Sequence, residues 1–110
     1  MRAVARKPAF DLTALAPKAA QAARLLRLLA NEKRLLLVCH LVAESEMSVG
    51  ALADAVDLSQ PALSQHLSLL REDGLVATRK EAQTVFYRLA DQKVARLLRL
   101  LRDLYCPTFR

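Results

Sequence analysis

The sequence predicts a mainly α-helical domain that carries one β-hairpin, and three patterns along the chain lead to this fold class. Leu63, Leu67 and Leu70 recur at helical spacing between a capping serine, Ser59, and a glycine stop, Gly74. A second short helix precedes this one across about three residues, and two short helices joined in this way are typical of a helix-turn-helix. After Gly74 the pattern changes to β-branched and aromatic residues, which favours paired strands.

The composition fits one small domain with a basic surface. The chain has 110 residues, 54% of them hydrophobic, so one core can form and a partner subunit can supply part of the burial. The 17 Lys and Arg residues outnumber the 11 Asp and Glu residues, giving a net charge of +6 and a pI near 9.9. This balance favours nucleic acid or an anionic membrane surface as partner. The densest apolar run, 35–43, is interrupted by His40 and falls well short of the roughly 20 residues that cross a bilayer.

The beginning of the chain predicts a cytoplasmic protein. Residues 1–10 are basic and include Pro8, so charges and a proline stand where a signal peptide needs an apolar stretch. The predicted organisation is a flexible basic arm at 1–10, a DNA-binding and dimerisation domain at 11–106 and a C-terminal tail at 107–110. Cysteines in this compartment are thiols by default.

Helix signals divide the first half of the domain. The Ala- and Leu-rich stretch 11–30 is predicted to be helical, with Pro17 either inside its first turn or separating a short lead-in from the main helix. Asn31 is a good N-cap for the next helix. The predicted apolar face of that helix contains Leu35, Val38, Cys39 and Val42.

The helix-turn-helix and the segments after it have their own start and stop signals. Ser48 caps a short helix at 49–56, and two strands are predicted at 75–81 and 84–89, although the Asn-Gly signal of a two-residue turn is absent between them. Asp91 caps a last helix that ends before Pro107. The predicted stripe of this last helix is Leu97, Leu98, Leu101 and Leu104.

The helix between Ser59 and Gly74 has a distinctive outer face. A globular helix normally carries Lys and Glu opposite its apolar stripe, whereas this helix carries short amides and hydroxyls. Such groups suit hydrogen bonds to base edges and phosphates, and glutamine can bridge adenine with two hydrogen bonds. The candidate groove contacts are Gln60, Ser64, Gln65 and Ser68.

The string Ser-Gln…Leu-Ser-Gln-His-Leu…Leu-Arg-Glu-Asp-Gly-Leu-Val across 59–76 resembles the recognition helix of a winged helix-turn-helix protein and, more narrowly, the ArsR/SmtB family of dimeric bacterial repressors. The order of the predicted elements matches that family over nearly the whole chain. The resemblance implies a nucleoid-associated homodimer that forms through its first and last helices and binds double-stranded operator DNA. An enzyme is not expected, because 2 glycines form no phosphate-binding loop and no acid–base pair stands out.

The resemblance adds four candidates for DNA contact. His66 matches a position beside the groove in relatives, but its place at the flank of the apolar stripe suits a structural histidine equally well. Arg79, Lys80 and Arg88 lie on or beside the predicted hairpin, where relatives grip the DNA backbone or minor groove with a wing. The alternative is a solvated charged hairpin that prevents its edge strands from pairing.

The two metal sites common in this family are missing from the sequence. Metal-sensing relatives carry a Cys-x-Cys pair at the start of the third helix, or Asp and His ligands along the last helix. Here residues 46–50 contain no thiol, and no histidine follows His66. Because a zinc site needs about four nitrogen or sulfur ligands, we predict neither a metal site nor a cofactor.

The 2 cysteines, Cys39 and Cys106, suggest a different signal. Their surroundings at 37–41 and 104–107, together with the stretch 81–89, resemble the BigR and SqrR branch of the family, which senses sulfane sulfur and other thiol oxidants. The resemblance implies that the reduced repressor binds its operator. A persulfide or other donor would then bridge Cys39 to Cys106 by a disulfide or polysulfide within one subunit, and the DNA would be released.

Two alternatives for the cysteines remain open. In the first, Cys39 and Cys106 bind a soft metal or metalloid. Two thiolates suit a linearly coordinated ion such as mercury, whereas arsenite prefers a third thiolate ligand. In the other alternative the protein binds DNA constitutively and its thiols are incidental, with Cys39 as a small buried hydrophobe.

Overall fold

The computed structural model describes residues 9–107, so the predicted basic arm lies almost wholly outside the described residues, and of the predicted tail only Pro107 is described. Within this part the chain forms six α-helices, one 3-10 helix and three strands. In chain order they are α1 (Leu12–Leu15), the 3-10 helix (Ala16–Lys18), α2 (Ala19–Leu29), α3 (Glu32–Glu44), β1 (Glu46–Ser48), α4 (Val49–Val56), α5 (Gln60–Glu72), β2 (Val76–Glu81), β3 (Thr84–Leu89) and α6 (Gln92–Tyr105).

Local capping signals set most of the helix boundaries, as predicted. The four predicted N-caps each accept a hydrogen bond from a backbone N–H two or three residues further along the chain: Asn31, Ser48, Ser59 and Asp91. Each cap of this kind stabilises its helix by about 1 kcal/mol. At the end of α5, Gly74 adopts the left-handed conformation with φ of 77°, and the Leu75 N–H donates to the Leu70 carbonyl at 2.9 Å.

Pro17 separates a short lead-in from the main first helix, which is the second of its two predicted roles. It lies in the 3-10 helix between α1 and α2, where its missing N–H interrupts no established helical ladder. The stretch 11–30 is therefore two short helical pieces and one regular helix, rather than one continuous helix.

The hairpin is part of a three-stranded antiparallel sheet with the order β1-β3-β2, so the prediction of two strands was incomplete. β2 and β3 pair in register around a two-residue turn in which Ala82 has φ of 55°. β1 adds to the other side of β3, with Met47 opposite Tyr87. The sheet thereby connects the wing to the residues that lead directly into α4.

The core lies between the helix-turn-helix, α3, the sheet and the first half of α6, and α2 contributes Leu29 to it. Its largest fully buried side chains are Leu37, Val38, Leu41, Leu52, Leu63, Leu67, Leu70 and Val94. The predicted stripe of α5 is therefore confirmed, because all three of its leucines are in this set.

Two predicted faces were wrong in part. Cys39 is exposed, because α3 directs Leu37, Val38 and Leu41 into the core and leaves the cysteine on the opposite flank. In α6, Leu98 is buried, but Leu104 is 63% exposed. Leu97 and Leu101 also pack against the core, so the predicted stripe fails only at Leu104.

Candidate nucleic-acid interface and cysteine pair

The outer face of α5 is polar and accessible. Its buried side consists of the leucine stripe described above, and the helix follows α4 through a turn in which Asp57 takes the left-handed conformation with φ of 57°. All four predicted groove contacts are exposed on the opposite side: Gln60, Ser64, Gln65 and Ser68. The arrangement presents amide and hydroxyl groups outward from a helix that is firmly held on its other face.

His66 is half-buried and has a hydrogen-bond partner inside the protein. Its Nδ1 lies 3.2 Å from Nη1 of Arg34, and the same arginine donates from Nε to the Leu28 carbonyl at 2.6 Å. A guanidinium group only donates, so Nδ1 of His66 accepts and the imidazole is neutral, with its proton on Nε2. Burial and then the charge of Arg34 lower the pKa of His66, which favours the same neutral form. This geometry favours the structural role for His66.

Arg79 is engaged by carboxylates of the protein itself. Its Nε and Nη2 donate to the two oxygens of Glu46 at 2.9 and 2.8 Å, and its Nη1 donates to Glu81 at 2.8 Å. The guanidinium also lies 4.5 Å from the ring centre of Phe86. The hydrogen bonds from Arg79 lower the pKa of Glu46. Arg79 therefore braces all three strands, whereas the predicted role was a contact to DNA phosphates.

The other two wing cations are placed differently. Lys80 and Arg88 are both exposed, and neither takes part in an ion pair within residues 9–107. Arg88 lies opposite Glu46 in the sheet, and its charge contributes weakly to the lowered pKa of that carboxylate. Lys80 and Arg88 are thus the wing side chains that remain available to a polyanion.

Both cysteines are exposed free thiols at the surface of the described part of the chain. Cys39 lies midway along α3, and partial burial raises the pKa of its thiol. Cys106 follows the last residue of α6, and its N–H donates to the Arg102 carbonyl at 2.7 Å. The two helices contribute to the same core, through Val38 of α3 and Val94 of α6 among others, and the two thiols are not bonded to each other in one subunit.

Two further properties of residues 9–107 bear on the kind of site. No three side chains of the His, Cys, Asp and Glu types come together there as a metal cluster. Within the same range no helix is long and apolar enough to span a membrane.

Sequence patterns missed the residues that hold this surface in place. Arg34, Glu46 and the pair of Arg24 with Asp73 gave no local signal, because their partners are 32 to 49 positions away. Charge pairs at such separations have no fixed spacing in a sequence, unlike helical pairs at three or four residues.

Comparison with known proteins identifies the family. The model for "Bacterial regulatory protein, arsR family" matches residues 31–78, which run from the cap of α3 to the start of β2. The chain is 51% identical to the transcriptional activator HlyU of Vibrio cholerae over 97 residues, which is 88% of this chain and 89% of HlyU. It is 48% identical to the biofilm growth-associated repressor of Agrobacterium fabrum over 88% of this chain and 82% of that protein.

Solved structures agree with the sequence comparison. The transcriptional repressor BigR from Xylella fastidiosa superimposes with a TM-score of 0.83 at 41% identity, over 88% of this chain and 98% of BigR. Reduced HlyU from V. cholerae superimposes with a TM-score of 0.78 at 52% identity, over 86% of this chain and 99% of that structure. The chain therefore belongs to the arsR family of bacterial regulatory proteins, and it is a DNA-binding transcriptional regulator with a winged helix-turn-helix fold rather than an enzyme.

Proposed function

We propose that this regulator is a homodimeric repressor that reads operator DNA with α5 and releases it when Cys39 and Cys106 are bridged by reactive sulfur. The observation that carries the proposal is the pair of exposed free thiols on α3 and α6, the two helices that flank the DNA-reading unit. Exposure of Cys39 argues against its being an incidental core residue, which was the alternative for this thiol.

The relatives support DNA binding but differ in the direction of regulation. Two are named repressors, BigR of X. fastidiosa and the biofilm growth-associated repressor of A. fabrum, whereas HlyU of V. cholerae is named an activator. Both outcomes depend on binding at a regulatory DNA site. The proposed effect of the switch is therefore on operator affinity, and repression is favoured because BigR superimposes on this chain with a higher TM-score than reduced HlyU, 0.83 against 0.78.

The dimer of the proposal would form through α2 and α6. Both helices present large apolar side chains that one subunit leaves uncovered: Leu26, Leu100, Leu104 and Tyr105. Apolar groups exposed in this way at adjacent helices are typical of an interface between copies. A two-fold dimer would place two α5 helices about one turn of DNA apart.

The chemistry of the switch uses the donor as its own oxidant. One cysteine thiolate attacks the outer sulfur of a persulfide R–S–SH, giving Cys–S–SH and the thiol R–SH. The second cysteine thiolate attacks the sulfur bonded to the first cysteine and expels hydrosulfide. In sum, two cysteine thiols and one persulfide give a disulfide, R–SH and H₂S, so the sulfane sulfur is reduced as the thiols are oxidised. A second persulfide would leave one extra sulfur in the bridge.

The bridge can act on DNA binding by changing the geometry of the dimer. A direct disulfide needs Cα atoms about 4.4–6.8 Å apart, and a bridge with extra sulfurs spans more. Because both thiols are free in one subunit, closing the bridge would draw the C-terminal end of α6 toward the middle of α3. A tenfold loss of operator affinity requires a difference of only about 1.4 kcal/mol between the two conformers.

The proposal is tested by treating the reduced protein with a persulfide and measuring operator affinity and mass together. We expect weaker binding and a link between Cys39 and Cys106 within one chain, with or without extra sulfur. Cys39→Ser and Cys106→Ser should each bind DNA as the reduced parent does and ignore the persulfide. If the double variant Cys39→Ser with Cys106→Ser still releases DNA on persulfide treatment, the proposed switch mechanism is refuted.

The same assay separates the two alternatives. Release on addition of Hg²⁺ but not of persulfide would indicate a soft-metal regulator that uses the same thiols. Binding that responds to neither reagent would indicate a constitutive DNA-binding protein.

A further inference from the structure

Two polar bridges connect α2 to α5, and each has an arginine at its centre. In the first, Nε and Nη2 of Arg24 donate to the two carboxylate oxygens of Asp73, at 2.5 and 2.8 Å. Asp73 directly follows α5; 15% of its side chain is exposed, against 67% of the Arg24 side chain. We call this contact the Arg24 bridge; it holds the C-terminal end of α5 to the middle of α2.

The second bridge passes through the start of α3. Arg34 donates from Nε to the Leu28 carbonyl of α2 and from Nη1 to Nδ1 of His66 in α5, as described above. We call this contact the Arg34 bridge. It holds the middle of α5 to the C-terminal end of α2, and it depends on His66 being a neutral acceptor.

The two bridges attach α5 to α2 at two separate points along each helix. Arg24 and Leu28 are four residues apart, on one face of α2 and about 6 Å apart along its axis. His66 and Asp73 are seven residues apart, which places them on one face of α5 about 10.5 Å apart along its axis. Two attachments at separate heights resist a change in the angle between two helices more strongly than a single attachment does.

Apolar packing also joins α2 to α5, but a groove interrupts it. A groove of about 770 Å³ opens between α2, the end of α5 and the beginning of α6, and both members of the Arg24 bridge line it. Beside it, Leu29 of α2 lies in the same buried core as the leucine stripe of α5, and Leu25 and Leu28 pack against that core. Because apolar packing is non-directional, the bridges are the directional contacts that set the orientation of α5 relative to α2.

We propose that Arg24 and Arg34 are positioning residues for DNA recognition, which hold α5 at the angle that lets both subunits of a dimer engage one operator. This inference rests on the proposed function, in which α2 builds the dimer and α5 enters the groove. Neither arginine needs to contact DNA. Each acts by holding α5, the recognition helix, in a set orientation relative to α2, the helix that builds the proposed dimer.

The test compares two duplexes of equal length, one with both half-sites of an operator selected from random DNA and one with a single half-site. Arg24→Gln should lose roughly fivefold or more in affinity for the double site while its affinity for the single site changes by less than about twofold. Arg27→Gln is the matched control, because Arg27 is also on α2, is exposed and has the same charge. It should leave the ratio of the two affinities unchanged.

Two rescue experiments test the bridges. The first exchanges the charges of the Arg24 bridge, and the second replaces the acceptor of the Arg34 bridge. The double variant Arg24→Asp with Asp73→Arg should restore the ratio that either single change lowers. His66→Asn keeps an acceptor near the position of Nδ1 and should retain the ratio, whereas His66→Leu should lower it. Every variant is also examined by denaturant unfolding and by size-exclusion chromatography. These measurements check that the subunit is folded and that the dimer is intact, because a variant with a purely structural defect would fail one of them.

The outcomes separate this inference from the proposed function. If the parent binds both duplexes but Arg24→Gln has the same affinity ratio as Arg27→Gln, the inference is overturned and the proposed function stands. Equal losses on both duplexes would also overturn it, because they would mean that the arginine contacts DNA or supports each subunit separately. A parent that binds neither duplex would overturn the proposed function and this inference together.

Discussion

Within residues 9–107, basic side chains around the DNA-reading unit fall into two groups, those bonded within the protein and those left free in the wing. Arg24, Arg34 and Arg79 are each occupied by acceptors of the protein, through five hydrogen bonds to carboxylates, one to a carbonyl and one to an imidazole. Lys80 and Arg88 project from the wing without an ion pair among the described residues. The net charge of +6 therefore does not map directly onto a DNA-binding surface.

At the level of single residues, Gln65 offers the sharpest test of base recognition. It is exposed on the outer face of α5, where an amide can bridge adenine. Gln65→Ala should cost roughly 1–3 kcal/mol of binding free energy on the selected operator and little on random duplex, measured by fluorescence anisotropy.

Gln92→Ala is the control for Gln65→Ala, because Gln92 is an exposed glutamine on α6, outside the recognition helix. Gln92→Ala should change neither the affinity for the selected operator nor the affinity for random duplex. Equal losses on operator and random DNA for Gln65→Ala would show that this side chain positions the protein on the backbone and does not read bases.

At the level of secondary-structure elements, the wing is a braced sheet rather than a free hairpin. β1 pairs with β3, and Arg79 on β2 reaches across to Glu46 on β1. Since β1 leads directly into α4, the contact joins the wing to the beginning of the helix-turn-helix. The wing and α5 are therefore held in a defined relation before DNA is bound.

The salt dependence of DNA binding distinguishes contacts from braces in the wing. Each phosphate contact that is removed should lower the magnitude of the slope of log affinity against log salt by about one unit. We expect this change for Lys80→Gln and Arg88→Gln, and an unchanged slope for Arg79→Gln because its guanidinium is already paired.

Two results would change this view of the wing. An unchanged slope in both Lys80→Gln and Arg88→Gln would remove the wing from the DNA-binding surface. A reduced slope in Arg79→Gln would show that a phosphate displaces Glu46 when the complex forms.

At the level of the whole molecule, the C-terminal end of α6 leaves two large apolar side chains uncovered in one subunit. Leu104 and Tyr105 are 63% and 82% exposed in one subunit, although the first half of the same helix is buried against the core. Exposed large apolar groups at the end of an ordered helix are costly unless another surface covers them. The proposed dimer covers them with α2 and α6 of a second copy.

Leu104→Lys tests the dimer without disturbing the subunit core. Because Leu104 is mostly exposed in one subunit, the variant should keep its helical circular dichroism but sediment as a monomer at micromolar concentration. Loss of the second half-site should then lower operator affinity by about tenfold or more. A variant that remains dimeric in sedimentation would place the interface elsewhere.

Local patterns in the sequence determined the elements of this fold. The N-caps at Asn31, Ser48, Ser59 and Asp91, the leucine stripe of α5 and the stop at Gly74 all act over one or two turns of chain. Such signals have a fixed spacing, because a cap bonds two or three residues ahead and a helix face repeats every three or four. The order of the helices from α2 to α6, the hairpin of β2 and β3 and the polar face of α5 followed from them without reference to the rest of the molecule.

Only the tertiary structure decided which faces meet. The run from Leu35 to Val38 is apolar at every position, so periodicity could not show that α3 buries Leu37 and exposes Cys39. The short strand β1 exists because Glu46–Ser48 finds β3 about forty residues later, and three residues carry too little β-propensity to reveal it. The bridges of Arg24, Arg34 and Arg79 likewise join positions 32 to 49 residues apart. Their geometry depends on how whole helices and strands are oriented in the fold, and no local spacing in the sequence encodes that orientation.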